Sequence, residues 1–220
     1  MTPNQFESFA ALDAIPRVDA KFFGRIPGLN VSAEKAEAMQ RIEPYHSKLL
    51  ERYGLGTFPT ATAEQVHGNK LSHVTSGSTS PSVGADGLIT DCKGITLCIY
   101  VADCAPVWVV ARDGSAGALL HSGKKGTALG IVPEGIRQLC TMTDLIPRDL
   151  VLVIGPCIRP PCYETDFAAE IRRQASETGV KEIHDQMICT ACHPELYYSY
   201  RRELGLTGRM LATLTLLPES

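Results

Sequence analysis

Apolar positions along the chain follow two periods. The runs 95–101, 107–111 and 150–154 are short and rich in β-branched residues, so they read as buried strands rather than helices. The segment 209–217 predicts a last strand of the same kind. Between Gly126 and Met142, the residues Leu129, Val132, Ile136, Leu139 and Cys140 recur at helical spacing. An earlier helix is expected from Ser32, with Ser32 as N-cap and Glu34 in its first turn; Pro44 ends or restarts it, and the second piece runs to Tyr53 before Gly54. Helices are also expected over 166–175 and part of 195–203. Polar and turn-forming residues punctuate the rest. Stretches 60–66 and 70–74 read as strands flanking His67-Gly68, 84–91 holds a short strand, 21–25 looks like an edge strand, and 77–82 is a turn-rich loop.

Asp113-Gly114 is a strong hairpin signal, so 116–120 should return antiparallel to 107–111 and carry His121 at its end. Hairpin signals alternate with only a few helical stretches. The pattern predicts an α+β fold, a single domain over 1–220, built as a mixed, largely antiparallel β-sheet flanked by helices.

With 220 residues and 44% hydrophobic composition, the chain can bury a full core. The formal charge is -3 and Lys and Arg are dispersed, which argues against a nucleic-acid surface and for a small-molecule partner. The N-terminus carries Glu7 and Asp13 in place of a basic region followed by an apolar one, and no apolar run is long enough to span a bilayer. The expectation is a cytoplasmic protein that does not bind membranes. In such a reducing compartment the eight Cys are buried thiols or metal ligands rather than disulfides; Cys98 and Cys140 suit core packing. The chain carries no signal of its oligomeric state.

Candidate chemistry centres on Asp103-Cys104. Pro106 cannot donate to a sheet ladder, so Cys104 should sit on the turn between strands 95–101 and 107–111. Gln65-Val-His67-Gly68 and His121-Ser-Gly-Lys-Lys-Gly126 place a His beside a Gly at the end of an apolar segment. Either His alone is an ordinary turn residue. Together with Cys104 they supply three ligands for Zn²⁺, with a fourth position open, and copper competes at such donors. Asp86 and Asp103 would orient imidazoles or water, or else serve as caps and turn residues. Arg25, Lys124, Lys125, Arg201 and Arg202 are candidate anion-binding groups, with Arg25 and Lys125 the preferred pair; each alone also reads as a solvated surface charge.

Three other patterns carry less. Cys189-Thr-Ala-Cys192-His193 spells a haem-attachment motif, which needs export to an oxidising compartment. A structural zinc cage from Cys157, Cys162, Cys189 and Cys192 has looser spacing than a zinc ribbon, and buried thiols are the default. The 117–125 stretch lacks the first Gly and the Ser or Thr of a phosphate loop.

Six ordered motifs resemble one family: Gln65-Val-His-Gly68, Ala85-Asp-Gly-Leu-Ile-Thr-Asp91, Val101-Ala-Asp-Cys-Ala-Pro106, His121-Ser-Gly-Lys-Lys-Gly126, the 154–164 stretch ending in Cys162-Tyr-Glu164, and Pro194-Glu-Leu-Tyr-Tyr-Ser-Tyr-Arg-Arg202. It is the multicopper polyphenol oxidase or laccase-domain family, also called peptidoglycan editing factor and described as purine nucleoside phosphorylases with adenosine deaminase activity. The resemblance implies a laccase-domain-like α/β/α arrangement and zinc on His67, Cys104 and His121. It further implies phosphorolysis of adenosine or inosine with phosphate, and attack of zinc-acidified water on C6 of adenosine, with Asp103 or Asp86 moving a proton. This chain departs from the family's His-Ala-Gly-Trp-Arg-Gly motif, with Ser122 for Ala and Lys124-Lys125 for Trp-Arg. Multicopper chemistry needs many imidazoles, commonly in His-x-His pairs; here there are six His and no such pair. A rival enzyme reading makes Cys104 a nucleophile with His121 or His67 as base, hydrolysing an amide of a cell-wall precursor. A third is a non-catalytic binding protein.

Overall fold

Cys104 lies where the chain crosses from one β-sheet to another. In the computed structural model, which describes residues 6–78 and 80–219, strand 96–101 belongs to a five-stranded sheet and strand 105–111 to a six-stranded one. Thr79, within the turn-rich loop, and the chain ends included in the single-domain expectation lie outside the described residues.

The strands are β1 (Phe6–Glu7), β2 (Val18–Phe23), β3 (Thr60–Thr62), β4 (Leu71–His73), β5 (Gly87–Thr90), β6 (Thr96–Val101), β7 (Ala105–Ala111), β8 (Gly117–Ser122), β9 (Leu150–Ile154), β10 (Glu182–Asp185) and β11 (Met210–Leu216). The sheets run β1-β2-β11-β6-β3 and β10-β9-β7-β8-β5-β4. Both are mixed: β3–β6, β4–β5 and β9–β10 are parallel, and the other pairs antiparallel. The α+β expectation holds, with the strands divided between two sheets. The 21–25 stretch is no edge, because β2 lies between β1 and β11.

The division follows from burial on both faces of β7. Trp108 and Val110 point into a core shared with β6 and β11, whereas Val107 and Val109 point into a second core shared with helices. Trp108 Nε1 crosses the first core to donate to the Thr213 carbonyl at 2.9 Å, tying β7 to β11 of the other sheet. Helices α4 (Ile131–Thr143) and α5 (Phe167–Glu177) cover the second core with Ile131, Val132, Ile136, Phe167 and Ile171.

Other elements are α1 (Ala10–Asp13), α2 (Lys35–Arg52) and α3 (Lys124–Ala128). Helix α2 runs unbroken through Pro44, and Ser32 does not cap it. Pro44 is exposed, so the carbonyl it leaves without a donor faces water, while Ala38, Ile42, Leu49 and Leu50 stay buried on the opposite stripe. The 126–142 helix is split at Gly130, which takes φ 75° between α3 and α4. Residues 195–203 form turns rather than a helix, because side chains take their backbone groups: Asp103 accepts from Arg201 N–H and Glu203 from Ser199 N–H. Among the described residues no helix is long and apolar enough to cross a membrane.

Candidate metal centre

Three strand-end segments meet beside Cys104. The Gln65–Gly68 loop enters the site between β3 and β4, Asp103-Cys104 links β6 to β7, and His121 lies near the end of β8. Ligand atoms of His67, Cys104 and His121 all lie within 4.8 Å of one another. The two imidazoles meet edge to face with centroids 4.9 Å apart.

Buried polar groups impose this geometry. Gln65 and His67 adopt left-handed φ of 64° and 61°, which non-glycine residues hold only when their surroundings dictate it. The Gln65 side-chain amide docks on β6, accepting from Tyr100 N–H at 2.9 Å and donating to its carbonyl at 2.6 Å. The fully buried Asp86 carboxylate accepts the N–H groups of His67 and Gly68, each at 2.7 Å, and of Val66 at 3.2 Å. The same carboxylate lies 3.0 Å from Nδ1 of His121. With Nδ1–H donated there, the ring keeps its Nε2 lone pair for a metal. Gly123 closes the other side: a Cβ on it would stand 2.5 Å from the Cys104 sulfur.

Charges in the cluster reinforce one another. Burial pushes the Cys104 thiol up, but His121 and His67 more than reverse this and hold it at about 6. Burial drives the His121 imidazole down, yet the Cys104 sulfur and Asp86 raise it to about 9. Desolvation raises the Asp86 carboxyl, and its bonds to His121 and the loop N–H groups bring it below its ordinary range. One thiolate and two imidazoles, one of them oriented by a carboxylate, are a donor set suited to zinc or copper.

The trio lines a cleft of about 1180 Å³, room for a nucleoside-sized ligand. Tyr100, Tyr163, Phe167 and Tyr200 are also among its lining residues. The cleft is therefore aromatic although Lys124 stands in place of the resembling family's Trp.

The expected charged residues separate. Lys125 lines the cleft, and among the described residues it bonds no other side chain; Lys124 and Arg201 line it too but share Glu164, at 3.3 and 3.0 Å. Arg25 lies outside the cleft lining, bound to Glu203 at 2.8 Å and the Tyr197 carbonyl at 3.1 Å, over the Tyr198 ring. Arg202 donates to the Ala191 carbonyl at 3.3 Å. Asp103, at φ 85°, has both carboxylate oxygens engaged, by the Thr190 hydroxyl and Arg201 N–H, each at 2.7 Å. Arg209 escaped the sequence reading, which took it only as the start of the last strand. Arg209 is a lining residue of the cleft, its guanidinium anchored at 2.9 Å to the Thr207 and Gly208 carbonyls, and burial lowers it from its usual range.

Comparisons with known proteins agree with this architecture. The chain is 29% identical to the purine nucleoside phosphorylase YlmD of Geobacillus stearothermophilus over 228 aligned residues, covering 84% of this chain and 81% of that protein. It is 26% identical to the purine nucleoside phosphorylase YfiH of Escherichia coli, covering 86% of each. The crystal structure of the Geobacillus YlmD superposes with a TM-score of 0.82 at 26% identity, over 98% of this chain and 100% of that one. A Bacillus licheniformis protein named hypothetical protein YfiH, at 24% identity and a TM-score of 0.84, shares the fold over 97% of this chain and 99% of its own. Residues 20–170 and 164–217 match the family described as multi-copper polyphenol oxidoreductase laccase, and the chain belongs to that family.

Proposed function

We propose that this chain is a cytoplasmic, zinc-dependent enzyme of purine nucleosides that cleaves adenosine or inosine with phosphate and deaminates adenosine. The convergence of His67, Cys104 and His121 on one wall of an aromatic cleft carries the reading. The names of the similar proteins support its substrate class. These three residues would hold zinc, which would supply Lewis acidity at the cleft wall.

The remaining roles fall to the chain's own groups. Asp86 keeps His121 in the tautomer that presents Nε2 and fixes the His67 loop. Tyr163 and Tyr200, which carry the Arg201 and Arg209 guanidiniums over their rings, are the cleft aromatics assigned to the purine in this reading. In phosphorolysis a phosphate oxygen bonds to C1′ of ribose as the bond to the purine nitrogen breaks, leaving its electron pair on the base. Of the cations lining the cleft, Lys125 and Arg209 are the ones assigned in this reading to that phosphate. Asp103 positions the 190–201 wall through both of its oxygens.

The test is zinc content and turnover of adenosine with and without phosphate, in wild type and Cys104→Ser. Adenine and inosine from zinc-bearing wild type, and loss of turnover and of one zinc ion per chain in the variant, are expected. Unchanged zinc in the variant would remove Cys104 from the ligand set. Absence of nucleoside turnover by zinc-loaded wild type would sink the reading.

A second reading rests on the Cys104 thiol held at about 6 between two imidazoles, the environment of a cysteine nucleophile. It predicts amide hydrolysis of a cell-wall precursor without metal, abolished by alkylation of Cys104. Copper-dependent polyphenol oxidation is a third outcome for the same metal assay, since these donors bind copper well.

A further inference from the structure

Three thiols gather outside the nucleoside centre. Sulfurs of Cys162, Cys189 and Cys192 all lie within 4.8 Å of one another, with Cys162 and Cys192 at 3.4 Å. Cys157, the fourth member of the cage weighed from sequence, is not in this cluster and is buried in the helix-covered core. The two contributing segments are laced together: Cys157 N–H donates to the Ile188 carbonyl and Thr190 N–H to the Cys157 carbonyl, both at 3.2 Å.

Cys189-Thr-Ala-Cys192 folds as a tight turn, closed by Cys192 N–H on the Cys189 carbonyl at 3.2 Å. Such a turn presents the sulfurs of Cys189 and Cys192 to one cation. Cys189 is buried, Cys162 half-buried and Cys192 exposed, so the sulfurs form a cup open to solvent. Around the cluster Arg202 donates to the Ala191 carbonyl, and Arg159, ion-paired with Asp185, donates to the Ile188 carbonyl. A disulfide would use two of the sulfurs and leave the third unexplained.

We infer that Cys162, Cys189 and Cys192 form a second metal site, distinct from the His67–Cys104–His121 centre, which takes one zinc ion through three thiolates and leaves its fourth position to solvent. The absence of carboxylate or imidazole from the donor set disfavours hard cations and selects a thiophilic one. The site is a brace. Thr190, inside the turn, donates to Asp103, the neighbour of Cys104, so the ion fixes the wall on which the reaction centre is built.

Zinc counted per chain in protein purified under reducing conditions tests this. Wild type is expected to carry two ions, Cys192→Ser one, Cys104→Ser one, and the double variant none. Cys192 is exposed, so its serine variant should keep the wild-type circular dichroism. In Cys104→Ser loaded with cobalt(II), a near-ultraviolet thiolate-to-cobalt band should appear and vanish on adding Cys162→Ser. Equal zinc in wild type and Cys192→Ser, or no such band with all three thiols reduced, would overturn the site. A single ion lost on Cys192→Ser but kept in Cys104→Ser would support this site while removing the proposed nucleoside centre.

Discussion

The carboxylate of Asp86 lies 3.0 Å from Nδ1 of His121, and its Oδ1 also takes the backbone N–H of His67. One buried side chain thereby sets the tautomer of one proposed ligand and the backbone of another.

Asp86→Asn keeps the volume but removes the charge and turns an amide N–H₂ toward N–H groups that need an acceptor. Zinc affinity is expected to fall about 10–100-fold, the usual effect of losing a carboxylate partner of a metal-binding His. The unfolding free energy should drop by about 1–3 kcal/mol for the unsatisfied donors. Chelator competition and urea denaturation measure the two effects. Unchanged affinity would show that Asp86 supports the loop alone.

Gly123→Ala tests how closely the thiol is packed. The backbone at φ -96° and ψ -176° admits alanine, so the conflict is the added Cβ against the Cys104 sulfur at 2.5 Å. Cys104 must move, and misplacement of a reacting group by this much costs about a hundredfold in rate. Turnover and zinc content should fall together, with a stability loss of about 1–3 kcal/mol from overpacking. Full activity with wild-type zinc content would mean that Cys104 does not need its present position.

Local pattern suffices for the parts of this fold that are locally determined. The β7–β8 hairpin is readable because Asp113-Gly114 supplies the turn and both flanking runs suit strands. The division into two sheets is not, because a strand buried on both faces, such as β7, shows no alternation to reveal its neighbours. His67, Cys104 and His121 stand out through their Gly and Pro neighbours. Arg209 does not, because its place in the cleft depends on the Thr207 and Gly208 carbonyls just before β11 and on that strand's antiparallel pairing with β6, which brings Met210 opposite Val101. The surroundings of Arg25 are hidden for the same reason: its partners Tyr197 and Glu203 are distant in sequence, and nothing around Phe23 announces them.

His46 predicts an acid-sensitive fold. It is 1% exposed, stacks on Tyr100 at 5.7 Å, and among the described residues neither ring nitrogen has a partner. Burial lowers its pKa from 6.5 to about 4. Between these values the unfolded chain binds the proton that the folded chain refuses, so this stability is complete above pH 6.5 and lost as pH falls toward 4. The full loss amounts to about 3 kcal/mol. Denaturation at pH 7 and at pH 4.5 should show the decline in wild type and a flatter profile in His46→Phe, which keeps the ring stack without a titrating nitrogen. Equal slopes in both proteins would assign the acid sensitivity elsewhere.

Lys125 and Arg25 separate phosphate binding from fold support. Lys125 faces the cleft and bonds no other side chain among the described residues, whereas Arg25 is committed to Glu203 and a carbonyl. Lys125→Gln should raise the KM for phosphate about tenfold, the loss of one charge-assisted contact, with little change in kcat. Deamination consumes no phosphate, so inosine release from adenosine alone should stay at the wild-type rate. Arg25→Gln should reverse the pattern, leaving the phosphate KM unchanged while lowering stability by about 1–2 kcal/mol. Steady-state kinetics with phosphate varied at saturating adenosine, run beside thermal denaturation, distinguishes the two residues. A raised phosphate KM in Arg25→Gln together with an unchanged one in Lys125→Gln would move the anion site out of the cleft and away from the three converging ligands.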